Sequence, residues 1–461
     1  MATVLGSALE GFAGELLAPG DPGYDTARSL WNGDIDRRPR LIARCTTVED
    51  VVRAVRHARE AGLPISVRGG GHGVGGHAVV DDGLMIELSP LKAIQVDPQA
   101  ATVRAQAGVV LGELDRASQE FELAVPAGIV THTGISGLTL GGGIGWLMRK
   151  HGATVDNLLS ADLVTADGQV VRASADAEPD LFWGLRGGGG NFGVVTSFEY
   201  QAHELGPIVL AGLVGYPLEE GREVLHKYRD VVADAPDELT TIVTVRRVPA
   251  LSAYPEAHHG RPVVNVGACY AGDPARGEEV VRPLRELGTP LYDSLAPQPF
   301  LDFQGQFDPG VLWGWGYYWK SWEVPPLSNE VIDELVHAAW RLPTPQSYAI
   351  LFQLGGALAR VPEEATAYPQ RDAAFNVNIN GVWTEPADRE AAVEWVRALY
   401  QALEPHAYGR AYVNFIGDEG QDRVRQAYGA EKYARLVSLK DRFDPENVFR
   451  LNQNIQPSTR A

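Results

Sequence analysis

Residues 66–78 read S-V-R-G-G-G-H-G-V-G-G-H-A, six glycines around His72 with His77 close behind. A chain stripped of side chains exposes successive N–H groups, and a concave run of them can bind an anion such as a pyrophosphate without a helix. A lone histidine in a loop, such as His72, is ordinarily only polar surface, and His77 reads as structural. A second constellation is F-N-V-N-I-N-G-V-W (375–383). Asparagine is depleted in strands, yet Asn376, Asn378 and Asn380 alternate onto one face while Phe375, Val377 and Ile379 take the other. Such a strip suits either the floor of a polar ligand's site or an exposed sheet face.

Further glycine clusters stand at 141–145 and 187–193. Three clusters exceed what one phosphate group needs and suit an extended ligand wrapped by several loops, as a buried dinucleotide such as FAD requires. Glycines that only allow close packing would explain one cluster more readily than three. Gly71-His72-Gly73-Val74-Gly75-Gly76 and Gly188-Gly189-Gly190-Asn191-Phe192-Gly193 both satisfy G-x-G-x-x-G. Their continuations, A-V-V-D-D-G-L-M-I-E-L and V-V-T-S-F-E-Y, read as strand, not as the helix whose N-terminus meets a pyrophosphate in a Rossmann unit.

The elements that must position these loops are legible in outline. Thr47 and Asp50 frame a helix start, Val48, Val51, Val52, Val55 and Ala58 form its apolar stripe, and Gly62 ends it. P-I-S-V-R (64–68) is a strand running into the first glycine loop, followed by strands at 84–88, 93–97 and 102–107, a helix near 110–121, and a hairpin over 161–173 turning at Asp167-Gly168. After about residue 205 long alternating strands (240–248, 263–270, 349–354) are separated by amphipathic helices near 218–233, 276–287 and 387–403. That pattern predicts a mainly antiparallel sheet covered by helices on one face. The last fifty residues return to glycine, asparagine and tyrosine and are expected to rejoin the first domain.

Bulk properties narrow the class. At 461 residues, 45% apolar and 21% charged, the chain exceeds the usual limit for one core and predicts two domains. A net charge of −19 without an offsetting basic run argues against nucleic acid. Two cysteines, Cys45 and Cys269, give neither a disulfide framework nor a zinc site. No segment approaches a membrane span or a secretory leader, so a cytoplasmic location and no membrane partner are expected.

The motifs R-G-G-G-H (68–72), T-H-T-G-I-S-G-L-T-L-G-G-G-I-G-W (131–146), D-L-F-W-G-L-R-G-G-G-G-N-F-G-V-V-T (180–196), Y-V-N (412–414) and F-D-P-E-N-V-F-R-L-N-Q-N-I (443–455) resemble, in order, the berberine-bridge-enzyme-like branch of the vanillyl-alcohol-oxidase flavoprotein superfamily. R-V-P-E-E-A-T-A-Y-P (360–369) and R-L-N-Q-N-I-Q-P (450–457) are most similar to its bacterial polyketide-tailoring members. The resemblance implies an α+β fold: a PCMH-type FAD-binding domain of two α/β subdomains (1–205), a substrate domain with a helix-covered antiparallel sheet (206–408), and a C-terminal segment (409–461) returning to the first domain.

It further implies FAD held by Arg68, Gly69, Gly70, Gly71, Gly73 and Gly76, by Thr133, Gly134, Gly137, Leu138, Thr139, Gly141, Gly142, Gly143 and Gly145, and by Gly193, Val194 and Val195. Asn414, Asn452 and Asn454 would bond the flavin or anchor the tail covering it. His72 sits where the family joins a ring nitrogen to the flavin 8α-methyl. Many relatives tether the flavin again through a cysteine at the position of Val130, so attachment here is expected to be monocovalent through His72.

His132, Thr133, Leu138 and Trp146 match positions lining the flavin face, with Thr133 and Leu138 framing the oxygen pocket of the polyketide-tailoring relatives. A satisfied loop histidine is the other reading of His132. Tyr412 matches a tyrosine that relatives hold near the substrate at lowered pKa, a catalytic base, against the alternative of a core tyrosine. Asn378 and Gln353 are expected to touch the substrate, and Gln370 stands where many relatives carry histidine. The resulting expectation is an FAD-dependent oxidase or monooxygenase that moves hydride from a small polar organic molecule, a secondary metabolite, to flavin N5 with O2 as acceptor. Alternatives are a carbohydrate or oligosaccharide oxidase and, from other classes, a nicotinamide dehydrogenase or a non-catalytic flavin-binding protein. Expected partners are the substrate and O2 alone, with no metal, in a monomer or homodimer.

Overall fold

Thr47 caps the helix Val48–Glu60: its hydroxyl accepts from the Asp50 N–H at 3.1 Å and the Asp50 carboxylate accepts from the Thr47 N–H at 3.1 Å. The buried stripe is Val51, Ala54, Val55 and Ala58. This helix packs on the first of three main sheets in a computed structural model that describes residues 9–369 and 371–458. The strands β1 (Glu15–Leu17), β2 (Leu41–Arg44), β3 (Ile65–Arg68) and β4 (Leu84–Glu87) form that sheet in the order β1-β2-β4-β3, with β4 parallel to both β2 and β3. The first glycine loop leaves the end of β3.

Next come β5 (Ile94–Asp97), β6 (Thr102–Gln106), β7 (Leu123–Ala124), β8 (Leu158–Val164), β9 (Val170–Ser174) and β10 (Val194–Gln201). All but β7 form an antiparallel sheet in the order β5-β6-β10-β8-β9, and β7 pairs with β11 (His203–Glu204). The predicted hairpin is β8–β9, and Gly168 takes φ 78° at its turn. The glycine motif at 188–193 enters strand β10, not a helix, which removes the Rossmann alternative.

β12 (Ile208–Pro217), β13 (Leu239–Arg247), β14 (Pro262–Tyr270), β15 (Tyr292–Asp293), β16 (Ala296–Pro299), β17 (Gly316–Val324), β18 (Tyr348–Gln353) and β19 (Phe375–Trp383) make one eight-stranded antiparallel sheet. Its order is β15-β12-β14-β13-β18-β19-β17, with β16 on β12. One face carries Val243, Val245, Ala349, Leu351, Val377 and Ile379 into a core with the helices Gly221–Ala233, Asn329–Ala339 and Arg389–Leu403. The period of two sends the intervening residues to the opposite face, toward the glycine loops.

Several helices escape the sequence reading. Ile135–Gly141 lies inside the stretch taken as glycine loop, and the tail holds Gln421–Tyr428 and Ala430–Phe443. Leu436, Leu439, Phe449 and Ile455 of the tail join the core of the first two sheets. Among the described residues no helix is long and apolar enough to cross a membrane.

Lys440 fastens this tail. Fully buried, its ammonium donates to Asp444 Oδ2 at 2.7 Å and to the carbonyls of Asn191 and Phe449 at 2.9 Å each. Removing one partner of a buried pair leaves the other charge uncompensated, so Lys440→Met should lower unfolding free energy by about 3 kcal/mol. A denaturant titration showing a loss below about 1 kcal/mol would mean the tail is held by its apolar contacts instead.

Candidate active site

A cavity of about 350 Å³ opens where the loop after β3, the segment 128–138, the loop 189–195 and the tail meet the polar face of the large sheet. Its walls include Gly69, Gly70, Gly71, His72 and Gly73, then Thr133, Gly134, Gly137 and Leu138, then Gly193, Val194 and Val195, and Asn378, Asn380, Tyr412, Asn414 and Asn452. Those predicted residues are brought together.

The glycines divide by what a side chain would meet. A Cβ on Gly70 would land inside 3.0 Å of the Gly134 main chain and the reverse holds for Gly134, so two backbones cross in direct contact. Gly141 is filled by Asn414, Gly142 by Tyr368 and Tyr412, Gly143 by Thr154, Gly145 by the Ala127 carbonyl and Gly76 by Ile35. None of these five lines the cavity, so the 141–145 cluster serves packing, contrary to the expectation that it wraps cofactor. Gly73, Gly137 and Gly190 behave differently: each lines the cavity, and a Cβ there would meet no protein atom within 4 Å. Gly137 even sits inside the helix Ile135–Gly141, where alanine would favour the helix by about 1 kcal/mol. Among the described residues, the N–H groups of Gly69, Gly70, Gly71, Gly73, Val74 and Gly75 donate to no main-chain acceptor. Bare backbone with idle donors facing a cavity fits a dinucleotide carrying a pyrophosphate.

His72 is stacked on Trp31, ring centroids 4.4 Å apart at 16°, and Trp31 in turn on Tyr317 at 3.6 Å. Its Nε2 shares a hydrogen bond of 2.8 Å with His132 Nδ1, leaving Nδ1 as the nitrogen outside that bond. Burial, then the neighbouring imidazole, holds His72 well below the usual histidine range; burial also lowers His132, against the pull of Asp308. Both rings are thereby held toward the neutral form, and one ring's N–H makes the bond between them. Asp308 accepts from the Thr131 N–H at 2.9 Å and from the Thr131 hydroxyl, which fixes the chain beside His132. His132 stands behind His72 and does not line the cavity, so its expected place on the flavin face is corrected.

Across the cavity the asparagine strip is buried at 0% for Asn376, 2% for Asn378 and 1% for Asn380, which excludes an exposed sheet face. Asn378 and Asn380 line the cavity; Asn376 lies deeper, opposite Glu323 in the register of β19 and β17. Burial pushes the Glu323 carboxyl well up, against the pull of Arg410 and of the Asn376 amide beside it. Sequence reasoning missed Glu323 because its partner is 53 positions away only through strand register. Gln353 is corrected: Tyr348, Ile350 and Phe352 face the cavity, so period two turns Gln353 to the helix side. There it accepts from Thr241 Oγ1 at 2.6 Å and donates to the Val232 carbonyl at 3.0 Å.

Three more expectations fail on packing. Trp146 is wedged against Phe303 and Phe307, off the cavity wall. Thr139 shares a hydrogen bond of 2.9 Å with Tyr200 in the core. Arg68 donates to the Ala27 carbonyl and lies over Trp313. Asn454 also misses the wall, whereas Asn452 donates to the Gly190 carbonyl at 3.2 Å and ties the tail to the third glycine loop. Gln370 falls outside the described residues.

Tyr412 reaches the cavity, and its oxygen accepts from the Gly143 N–H at 2.7 Å and from Asn414 Nδ2 at 2.8 Å. Burial nevertheless pushes the phenol up to about 12, overcoming both bonds, so the lowered pKa expected of a resting base is corrected. With two donors on its oxygen and no acceptor among the described residues, the O–H is left as a donor.

The chain matches the FAD binding domain family over residues 39–174 and the berberine and berberine-like family over 411–456. It is 31% identical to (R)-6-hydroxynicotine oxidase of Paenarthrobacter nicotinovorans, over 96% of this chain and 97% of the relative. An FAD-linked oxidoreductase of Dictyostelium discoideum is 31% identical over 93% of this chain and 91% of its own. Among solved structures, 6-hydroxy-D-nicotine oxidase of Arthrobacter nicotinovorans superposes with a TM-score of 0.87 at 31% identity, covering 97% and 99% of the two chains. Glucooligosaccharide oxidase of Acremonium strictum shares the fold at 0.85 and 23% identity, covering 98% and 99%.

The sorting of glycines has a direct consequence. Gly73→Ala, Gly137→Ala and Gly190→Ala should each leave unfolding free energy within about 1 kcal/mol of wild type yet lower the flavin content of the purified protein. Gly70→Ala should destabilise the fold itself. Full flavin retention in all three open-site variants would remove the cradle.

Proposed function

This chain belongs to the berberine-bridge-enzyme-like FAD-linked oxidoreductases, and from that premise we propose that it oxidises a small polar organic molecule held between a flavin tethered once, through His72, and the asparagine strip of the large sheet. The observation that carries the reading is the position of His72 on the cavity wall, one ring nitrogen bound to His132 and the other not, with Asn378 and Asn380 on the same cavity. Bound there, FAD would supply the hydride acceptor for the substrate and the route of its electrons to O2.

The chain's own residues supply placement. Gly73, Gly137 and Gly190 let a ligand approach the backbone, the N–H groups from Gly69 to Gly75 neutralise its charge, and His132 fixes the tautomer of His72. Val130 lines the cavity where a second tether would need a thiol, which supports single attachment. Tyr412, a phenol at neutral pH, donates to a substrate heteroatom, and the Gly143 and Asn414 donors stabilise the phenolate if its proton leaves. Thr133 and Leu138, both on the wall, frame the space for O2. Relatives named for 6-hydroxynicotine stand at 31% identity and the oligosaccharide oxidases at 24% or less, which favours a compact substrate over a sugar chain. The motif texture at 360–369 and 450–457 supports a secondary metabolite. Cys45 and Cys269, both free and buried, support a reducing cytoplasm.

His72→Ala should release the flavin on acid precipitation, giving a yellow supernatant where wild type gives a yellow pellet. A pellet that stays yellow in the variant would place the tether elsewhere. Tyr412→Phe should slow anaerobic flavin reduction by about 10²-fold with flavin content unchanged. A rate within about threefold of wild type would leave Tyr412 as a strap for the 141–145 loop, with no part in the chemistry.

A further inference from the structure

Four arginines are buried among the described residues: Arg149, Arg246, Arg371 and Arg423. Three have their terminal nitrogens engaged. Arg149 donates to the carbonyls of Leu354 and Ala235, Arg371 forks onto Asp156 with two bonds of 2.7 Å, and Arg423 donates to the Ser321 carbonyl and Gln426. Arg246 is 7% exposed, and its single hydrogen bond runs from Nε to the Arg247 carbonyl at 3.3 Å. Neither of its terminal nitrogens has a hydrogen-bond acceptor or a carboxylate partner among the described residues. The terminal nitrogens are not enclosed, so they stay open to solvent and a ligand can reach them.

Its place in the sheet says what the fork is for. Arg246 on β13 stands opposite Tyr348 on β18, Tyr348 opposite Asn380 on β19, and Asn380 opposite Trp319 on β17. The last three of that cross-strand row line the cavity. The guanidinium carbon lies 5.2 Å from the centre of the Tyr348 ring, and a Cβ on Gly310 would come 3.7 Å from both terminal nitrogens. The fork thus sits between an aromatic face and bare backbone, one residue beyond the cavity wall at Tyr348 and Val311. Tyr292, which donates to Asn265 at 2.5 Å, and Tyr254, edge-on to it at 5.5 Å, stand beyond.

We infer that Arg246 is a specificity-determining residue of the substrate site, and that the substrate carries a carboxylate which seats on its terminal nitrogens while the oxidised carbon lies toward Asn380. Adjacent strands are about 4.8 Å apart, so anchor and Asn380 are separated by roughly 10 Å, the span of a substituted aromatic acid. A planar carboxylate matches the guanidinium fork and an aromatic ring matches the Tyr348 face. The inference rests on reading this cavity as the substrate site of a flavin oxidase.

Calorimetry on the protein as purified tests it, with benzoate as probe and methyl benzoate as the neutral isostere. Wild type should bind benzoate at least tenfold more tightly than the ester. Arg246→Gln should lose about 10- to 100-fold for benzoate, the worth of hydrogen bonds to a charged group, and change by less than about threefold for the ester. Arg246→Lys, which keeps the charge and loses the fork, should fall between, with melting temperature and flavin absorbance confirming that both variants fold. Equal binding of acid and ester by wild type, no benzoate heat at all, or benzoate binding by folded Arg246→Gln within about twofold of wild type would each overturn the inference. The colour of the same preparations keeps the two readings apart. A colourless protein that binds benzoate through Arg246 sinks the flavin reading and leaves only the carboxylate anchor, and a yellow protein indifferent to the carboxylate keeps the flavin reading and sinks this inference.

Discussion

Two main chains cross with nothing between them at Gly70 and Gly134, and the geometry of the site depends on that contact. A methyl group on either would force the loops apart by more than an ångström, because each Cβ would occupy the other's backbone. The crossing is held from both sides. Thr133 and Thr131 carbonyls accept from Leu111 and Gly112 at 2.9 and 2.8 Å, the Ile135 N–H donates to Val109 at 3.0 Å, and the Trp31 N–H donates to Gly71 at 3.1 Å. Only with the loops in contact can His72 reach His132 at 2.8 Å while stacked on Trp31. The neutrality of both imidazoles follows from the same closure, since it is burial that lowers them.

The large sheet works on a different rule. Its helix-covered face is ordinary core, and its other face concentrates polar atoms that protein does not satisfy: Asn378 Nδ2, Asn380 Oδ1 and Ser321 Oγ. Buried polar groups without partners cost stability, and native folds keep them few. Their clustering on one face of two neighbouring strands, β17 and β19, beside a cavity, fits a place where a ligand completes the bonding. Glu323 lies on the same face, where burial favours its neutral form.

Much of this was legible in the sequence, and what was not has specific causes. The capped helix, the strand into the glycine loop, the β8–β9 hairpin and the alternation of the asparagines follow from local periodicity, whereas the burial of the asparagine face comes from the structure. His72 was identified by its glycines and by resemblance. Gly73 and Gly143 look alike in a sequence, yet one faces open cavity and the other is filled by Thr154; only packing separates a glycine kept for a ligand from one kept for a neighbour. Gln353 shows a second limit. The alternation on β19 fixes its own two faces but carries no information about β18 until the register Gln353 opposite Phe375 is known. Arg246 is informative only for the partners it lacks, and a missing partner is a property of three-dimensional neighbours.

The site is also assembled late in the chain's connectivity. Tyr412 straps the tail to Gly143, Asn452 to Gly190, and Lys440 to Asn191, so the tail closes walls built from loops near residues 72, 134 and 190. Idle N–H donors on one wall and idle amides on another make the closed cavity unfavourable by itself. A cofactor that occupies it binds the native arrangement and not the unfolded chain, and therefore stabilises the closure by mass action. The covalent bond proposed at His72 would convert that concentration-dependent gain into a permanent one, at the loop whose glycines hold the two chains in contact.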